Sequence, residues 1–205
     1  MDLSEINFAV LVASLIVAST PLVLAALGEL IVEKAGVLNL GVEGMMIIGA
    51  VAGFIVGVET GSAYIGMIAA AVAGALLSLL FAFIILIMQA NQVASGLALT
   101  IFGLGIAALM GHPYTGIKSP QISTISIPIL NEIPILGTMF FQHDLIVYLS
   151  LISVLTIWYF LTRMRAGLIL RSVGEDHDVA HSLGYRVITI RFLAIVFGGA
   201  MAGVG

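Results

Sequence analysis

The chain has 205 residues, a formal net charge of -4, no cysteine, and 61% apolar against 9% charged residues. That composition excludes an ordinary soluble core and places the sequence among polytopic membrane proteins. Without cysteine there are no disulfides, thiolate metal sites or cysteine nucleophiles, and a net charge spread loop by loop points to no nucleic acid polymer.

Residues 6–27 carry no charge, and at ~1.5 Å rise per residue they suffice to cross a hydrocarbon core of ~30 Å. They form the first predicted span. No basic segment precedes them and the apolar run is too long for a cleaved signal, so retention is expected. Glu29, Glu33 and Lys34 close the run. A second span is read at 41–58, after an approach in which Gly36, Gly41 and Gly44 surround Asn39 and Glu43 and weaken any regular helix. Irregular backbone at membrane depth is tolerated only against protein or water, so Asn39 and Glu43 are candidate pathway or gate residues. The competing reading is an interfacial loop with Glu43 at a helix N-terminus. Gly49, Gly53 and Gly57, continued by Gly61, recur every fourth residue, which strips side chains from one stripe and lets helices pack backbone to backbone.

No charged residue occurs over 60–117, and the polar cluster Gln89, Asn91 and Gln92 divides that stretch into spans 64–88 and 94–111. Asn91, Gln92 and Ser95 offer hydrogen-bonding groups that could serve a polar solute as gate residues or cap the adjoining helices. Pro113, Pro120, Pro128 and Pro134 break up the next stretch, where 122–127 alternates in the manner of a strand. A span at 145–162 follows. A sixth, over 189–205, is incomplete, and the chain is expected to be cut short at its C-terminal end.

Five of the seven basic residues, Arg163, Arg165, Arg171, Arg186 and Arg191, lie in or beside the loop at 163–188. The positive-inside rule makes that loop cytoplasmic; counting back puts Glu29 to Lys34 and Gln89 to Gln92 on the same side and the N-terminus outside. Within it, acidic residues from Asp176 begin a short helix, Val179, Ala180 and Leu183 share an apolar face, and Gly184 stops it. Two turns of helix are ordered only by docking, and a groove on another subunit would satisfy them. His177 and His181 share a helical face near Glu175 and Asp178, but zinc would need a further fixed ligand, and a solvated face is the simpler reading. No phosphate-binding loop and no nucleophile–base cluster occurs in the spans, so neither ATP hydrolysis nor other enzyme chemistry is expected of the chain, and no cofactor.

The run Gly174, Glu175, Asp176, then Ala180 and Leu183 with Gly184, resembles the Gly-Glu-Asn...Ala...Leu-Gly cytoplasmic signature of ABC importer permeases. Gly36 to Gly44 and Ala90 to Gly96 are similar to the nucleoside and simple-sugar branch of the branched-chain amino acid/ribose-type permeases. The resemblance covers nearly the whole chain. It implies an all-α, type II ABC importer-like transmembrane bundle in the cell membrane, paired with a second permease subunit. Such a subunit receives solute, nucleosides first and simple sugars next, from an extracytoplasmic solute-binding lipoprotein. It also implies a coupling helix, drawn from Gly174, Glu175, Asp176, Val179, Ala180, Leu183 and Gly184, inserted into a separate ATP-binding subunit. Two departures are Asp176, where Asn is usual, and His177, where Pro is common. The rival class is an ion- or proton-coupled secondary transporter in which Glu43 titrates.

Overall fold

A computed structural model describes residues 8–120, 124–126 and 142–205. In chain order the elements are α1 (Phe8–Lys34), α2 (Val42–Thr60), α3 (Ala63–Ala82, continued by a π-helical turn Phe83–Ile87), α4 (Gln92–Gly111), β1 (Thr124–Ser126), β2 (Gln142–Asp144), α5 (Leu145–Arg163), α6 (Arg165–Glu175), α7 (His177–Ser182) and α8 (Val187–Val204). By length and composition, six of these segments can cross a membrane: Ala9–Lys34, Val42–Thr60, Ala63–Ile87, Gln92–Tyr114, Leu145–Arg163 and Val187–Val204.

The boundaries correct the sequence reading at several ends. α1 runs past 27 through Glu29, Glu33 and Lys34, because Glu33 and Lys34 are exposed while Glu29 bonds to the segment that follows. α4 starts at Gln92 rather than 94, since Asn91 caps it: its Oδ1 accepts from Ala94 N at 3.0 Å. The helix read from 189 begins two residues earlier, at Val187. The strand-like stretch contributes Thr124–Ser126, antiparallel to Gln142–Asp144 with Ile125 opposite His143; its remaining residues, with Pro128 and Pro134, lie outside the described residues.

The basic loop holds two helices where one was expected. α6 buries Gly167, Leu170 and Val173 on one face, a 3.6-residue period obscured in the sequence by its glycines. Met164, in extended conformation (φ -91°, ψ 142°), turns the chain between α5 and α6, and Gly167 lies against the carbonyl oxygen of Phe160 where no Cβ would fit.

α8 packs against α1, α2 and α3 and so sits inside the bundle. Small residues make this possible: a Cβ on Gly49 would strike the carbonyl of Gly203, one on Gly74 the carbonyl of Gly199, and one on Gly203 the carbonyl of Ala70. Around that junction Val32, Met45, Leu77, Phe81, Leu99 and Ile195 form the main apolar core.

One end of the bundle gathers the C-terminus of α1, the N-terminus of α4, α6, α7 and the start of α8. At the other, Tyr114 Oη donates to Glu59 Oε1 and Gly57 meets Pro120. Lys34 and the five arginines at 163, 165, 171, 186 and 191 fall at the first end. Lys118 falls at the second.

Candidate coupling site

At the basic end, α6 ends against α1. A Cβ on Gly174 would overlap the carbonyl oxygen of Lys34 and stand 2.9 Å from Gly36 N, while Gly36 takes a left-handed φ of 78° that a side chain would strain. Arg191, the fifth residue of α8, donates from Nε to the carbonyl of Ala35 at 3.1 Å. A cation at this point also offsets the negative end of the α1 dipole. The ends of three helices therefore meet on one short stretch of backbone.

Asp176 separates α6 from α7. Extended at φ -149° and ψ 103°, it accepts at Oδ1 from Asp178 N and Val179 N, both at 3.0 Å. This double acceptance fixes the N-terminus of a six-residue helix, and Gly184 ends the element with φ 89°. The expected coupling helix is thereby redrawn: Gly174 and Glu175 complete α6, and Asp176 is a cap rather than a first-turn residue. The single apolar face is also corrected. Ala180 is 1% exposed and roots α7 on the bundle, whereas Val179 and Leu183 stand 56% and 69% exposed. With only two turns, a side chain one position along points some 100° away, so 179 and 180 divide between outside and inside.

His177 Nε2 lies 3.6 Å from Asp178 Oδ1. Among the described residues no group of three metal-ligating side chains assembles, with His181 and Glu175 exposed nearby.

The irregular segment between α1 and α2 lies next to this site. Asn39, 2% exposed, donates its backbone N–H to Glu29 Oε1 at 3.1 Å and accepts at Oδ1 from Gly41 N at 3.0 Å. Leu38 N donates to Gln92 Oε1 at 2.8 Å, and Thr100 Oγ1 to the carbonyl of Leu40 at 3.0 Å. Helix breaking by glycine is thus matched by side chains from α1 and α4 that take up the freed backbone groups. Glu29 and Thr100 escaped the sequence reading; an acid near the end of an apolar run was the available signal for the first. Glu29 Oε2 is buried without a partner among the described residues. Of the gate candidates, Asn39, Asn91 and Gln92 are spent on backbone, while Glu43 is exposed on the first turn of α2 and Ser95 is half-buried.

The three glycines of α2 are not equivalent. Gly49 abuts Gly203; at Gly53 a Cβ would meet Gly66 O and Ala70 Cβ at 3.0 Å; at Gly57 it would meet Pro120 Cγ at an ordinary 3.5 Å. Gly61 lies beyond the helix as its left-handed cap.

Among the described residues six apolar helices, two of them joined by a polar helical pair that stands outside the spans, give the chain the build of a multi-pass membrane protein. The chain belongs to the branched-chain amino acid transport system / permease component family, whose pattern matches residues 11–205. It is 40% identical over 190 residues to a putative glucose ABC transporter permease protein of Haloferax volcanii, covering 91% of this chain and 58% of that protein. It is 34% identical over 220 residues to a guanosine ABC transporter permease protein of Bacillus subtilis, covering 100% of this chain and 68% of the relative. A nucleoside ABC transporter permease protein of Lactococcus lactis is 32% identical over 207 residues, covering 96% and 65%. The chain thus spans about six tenths to two thirds of the length of these relatives. No solved structure gives a significant match.

Proposed function

We propose that this chain is the membrane-spanning subunit of an ATP-binding cassette importer, that α7 is its coupling helix, and that a separate subunit hydrolyses ATP. The observation that carries the proposal is α7 itself: a capped, two-turn helix outside the spans, rooted by Ala180 and presenting Val179 and Leu183 outward. A groove on an ATPase would cover those two side chains. The concentration of basic residues at the same end supports its placement in the cytoplasm and the N-terminus outside.

Motion of α7 would pass to α6 through its cap Asp176, and from α6 to α1 through Gly174, because close-packed backbone transmits a rigid-body shift with little loss. A second permease subunit and an extracytoplasmic binding lipoprotein complete the assembly. The cargo is a neutral, hydroxyl-bearing solute, nucleosides first and simple sugars second; the relatives' names, guanosine, nucleoside and glucose permeases, support both. Glu43 and Ser95 are the gate candidates whose side chains are not committed to loop backbone. Family membership weighs against the ion-coupled alternative built on Glu43.

Uptake of labelled guanosine and labelled glucose into cells expressing the intact transporter tests this reading. ATP depletion is expected to stop uptake and a protonophore, with ATP held constant, to leave it unchanged; the reverse pattern would contradict an ATP-driven importer.

A further inference from the structure

Two consecutive backbone amides bridge helices that pack in different parts of the bundle. Leu38 N donates to Gln92 of α4 and Asn39 N to Glu29 of α1, while α1 packs on α8 and α5 and α4 packs on α2. The two ties are unequal. On the α4 side, Gln92, Gly96, Thr100 and Gly103 follow at three- and four-residue steps and so share one helical face. Gln92 and Thr100 bond to Leu38 N and to the Leu40 carbonyl. A Cβ on Gly96 would stand 2.9 Å from Leu40 N, and one on Gly103 would stand 2.8 Å from Gly44 Cα. Residues 38–44 therefore form one body with α4. From α1, among the described residues, a single hydrogen bond reaches that body, the one accepted by Glu29 Oε1. Glu29 Oε2 is buried without a partner among the described residues, so the desolvation of a carboxylate oxygen offsets much of what the bond contributes.

We propose that Glu29 is a latch: it holds α4 and residues 38–44 against α1, and loss of its one bond lets that body swing away from α1 during transport. A contact balanced between a bond and a desolvation cost can open and close, which a fully satisfied tie resists. Glu29 is then a positioning residue that touches no solute and acts through the segment carrying the gate candidate Glu43. A shift of α6 arrives close to the latch, because Gly36, two residues before Leu38, lies against Gly174, a Cβ there standing 3.0 Å from its Cα. That drive rests on the importer reading. The latch itself does not.

The sequence has no cysteine, so Glu33→Cys on α1 and Ala94→Cys on α4, both exposed positions, take one pair of nitroxide labels. Electron paramagnetic resonance on the intact transporter in nanodiscs, without nucleotide, is expected to give mainly one distance. Glu29→Leu strands the Asn39 N–H and should raise the population at a second, longer distance about tenfold. Glu29→Ala replaces it should the leucine variant misfold. Glu29→Gln keeps an acceptor oxygen and should return the parent distance. A merely structural Glu29 would lower the melting temperature of the leucine variant and leave its distance unchanged, and that result would overturn the proposal. Trapping the parent with ATP and vanadate should populate the same longer distance. A parent unmoved by trapping, beside a leucine variant that lengthens, would uphold the latch and contradict the importer reading, so the two failures are distinguishable.

Discussion

Arg191 and Ala35 are 156 residues apart, and a 3.1 Å hydrogen bond from the guanidinium Nε of one to the carbonyl of the other ties the last helix to the end of the first. Charged donors to carbonyls contribute ~1.5–3 kcal/mol. Arg191→Leu is therefore expected to lower thermal stability in nanodiscs by about that amount. Arg191→Lys should recover part of it, because an ammonium supplies the charge but not the planar fork. Parallel melting curves of the three chains check this.

Gly174 allows α6 to lie on α1. Gly174→Val would drive a side chain into the Lys34 carbonyl, and overpacking of this kind costs about 1–3 kcal/mol. Uptake is expected to fall more than stability does, since the contact also links α7 to the bundle. Gly105→Ala, where a Cβ meets open space, is the control and should behave as wild type. Uptake measured beside surface expression separates the two effects.

Along α2 the glycine repeat should divide by position. Gly49→Ala is expected to destabilise by about 1–3 kcal/mol because Gly203 backbone blocks the added methyl, whereas Gly57→Ala should be neutral or slightly stabilising in a helix. An equal penalty at both positions would show that the repeat acts as a uniform stripe. Melting temperatures of the two variants decide it.

Asp176→Ala removes both N-cap acceptances and should cost roughly 1 kcal/mol, concentrated in α7. Asp176→Asn keeps an acceptor oxygen at the same place and is expected to be nearly silent. Hydrogen exchange at the amides of Asp178 and Val179 checks both, faster exchange being expected for the alanine variant alone.

The spans were legible in the sequence because uncharged runs of about 20 residues have few alternatives to a crossing helix. So was the short α7, through the acidic residues from Asp176 at its start and Gly184 behind it, although Asp176 proved to be its cap and not part of its first turn. What escaped were relations between distant segments. α6 was hidden because Gly167 and Gly174, poor helix formers in isolation, are the residues that let it approach α5 and α1. Asn39 and Gln92 were visible as polar residues at span boundaries, but only three-dimensional placement shows them taking up backbone groups of the broken segment. Val179 and Ala180 were grouped on one face because apolarity is readable and the direction of a two-turn helix against its support is not.

The most direct test of the coupling role is co-purification of the solubilised chain with its candidate ATP-binding subunit, wild type beside a Val179→Asp, Leu183→Asp variant. Both side chains are exposed in the isolated subunit, so the variant should fold as wild type does. The expected result is that wild type retains the ATPase and the variant loses it. Equal retention by both would contradict α7 as the contact, and a folded wild-type chain that captures no ATPase would contradict the importer assignment.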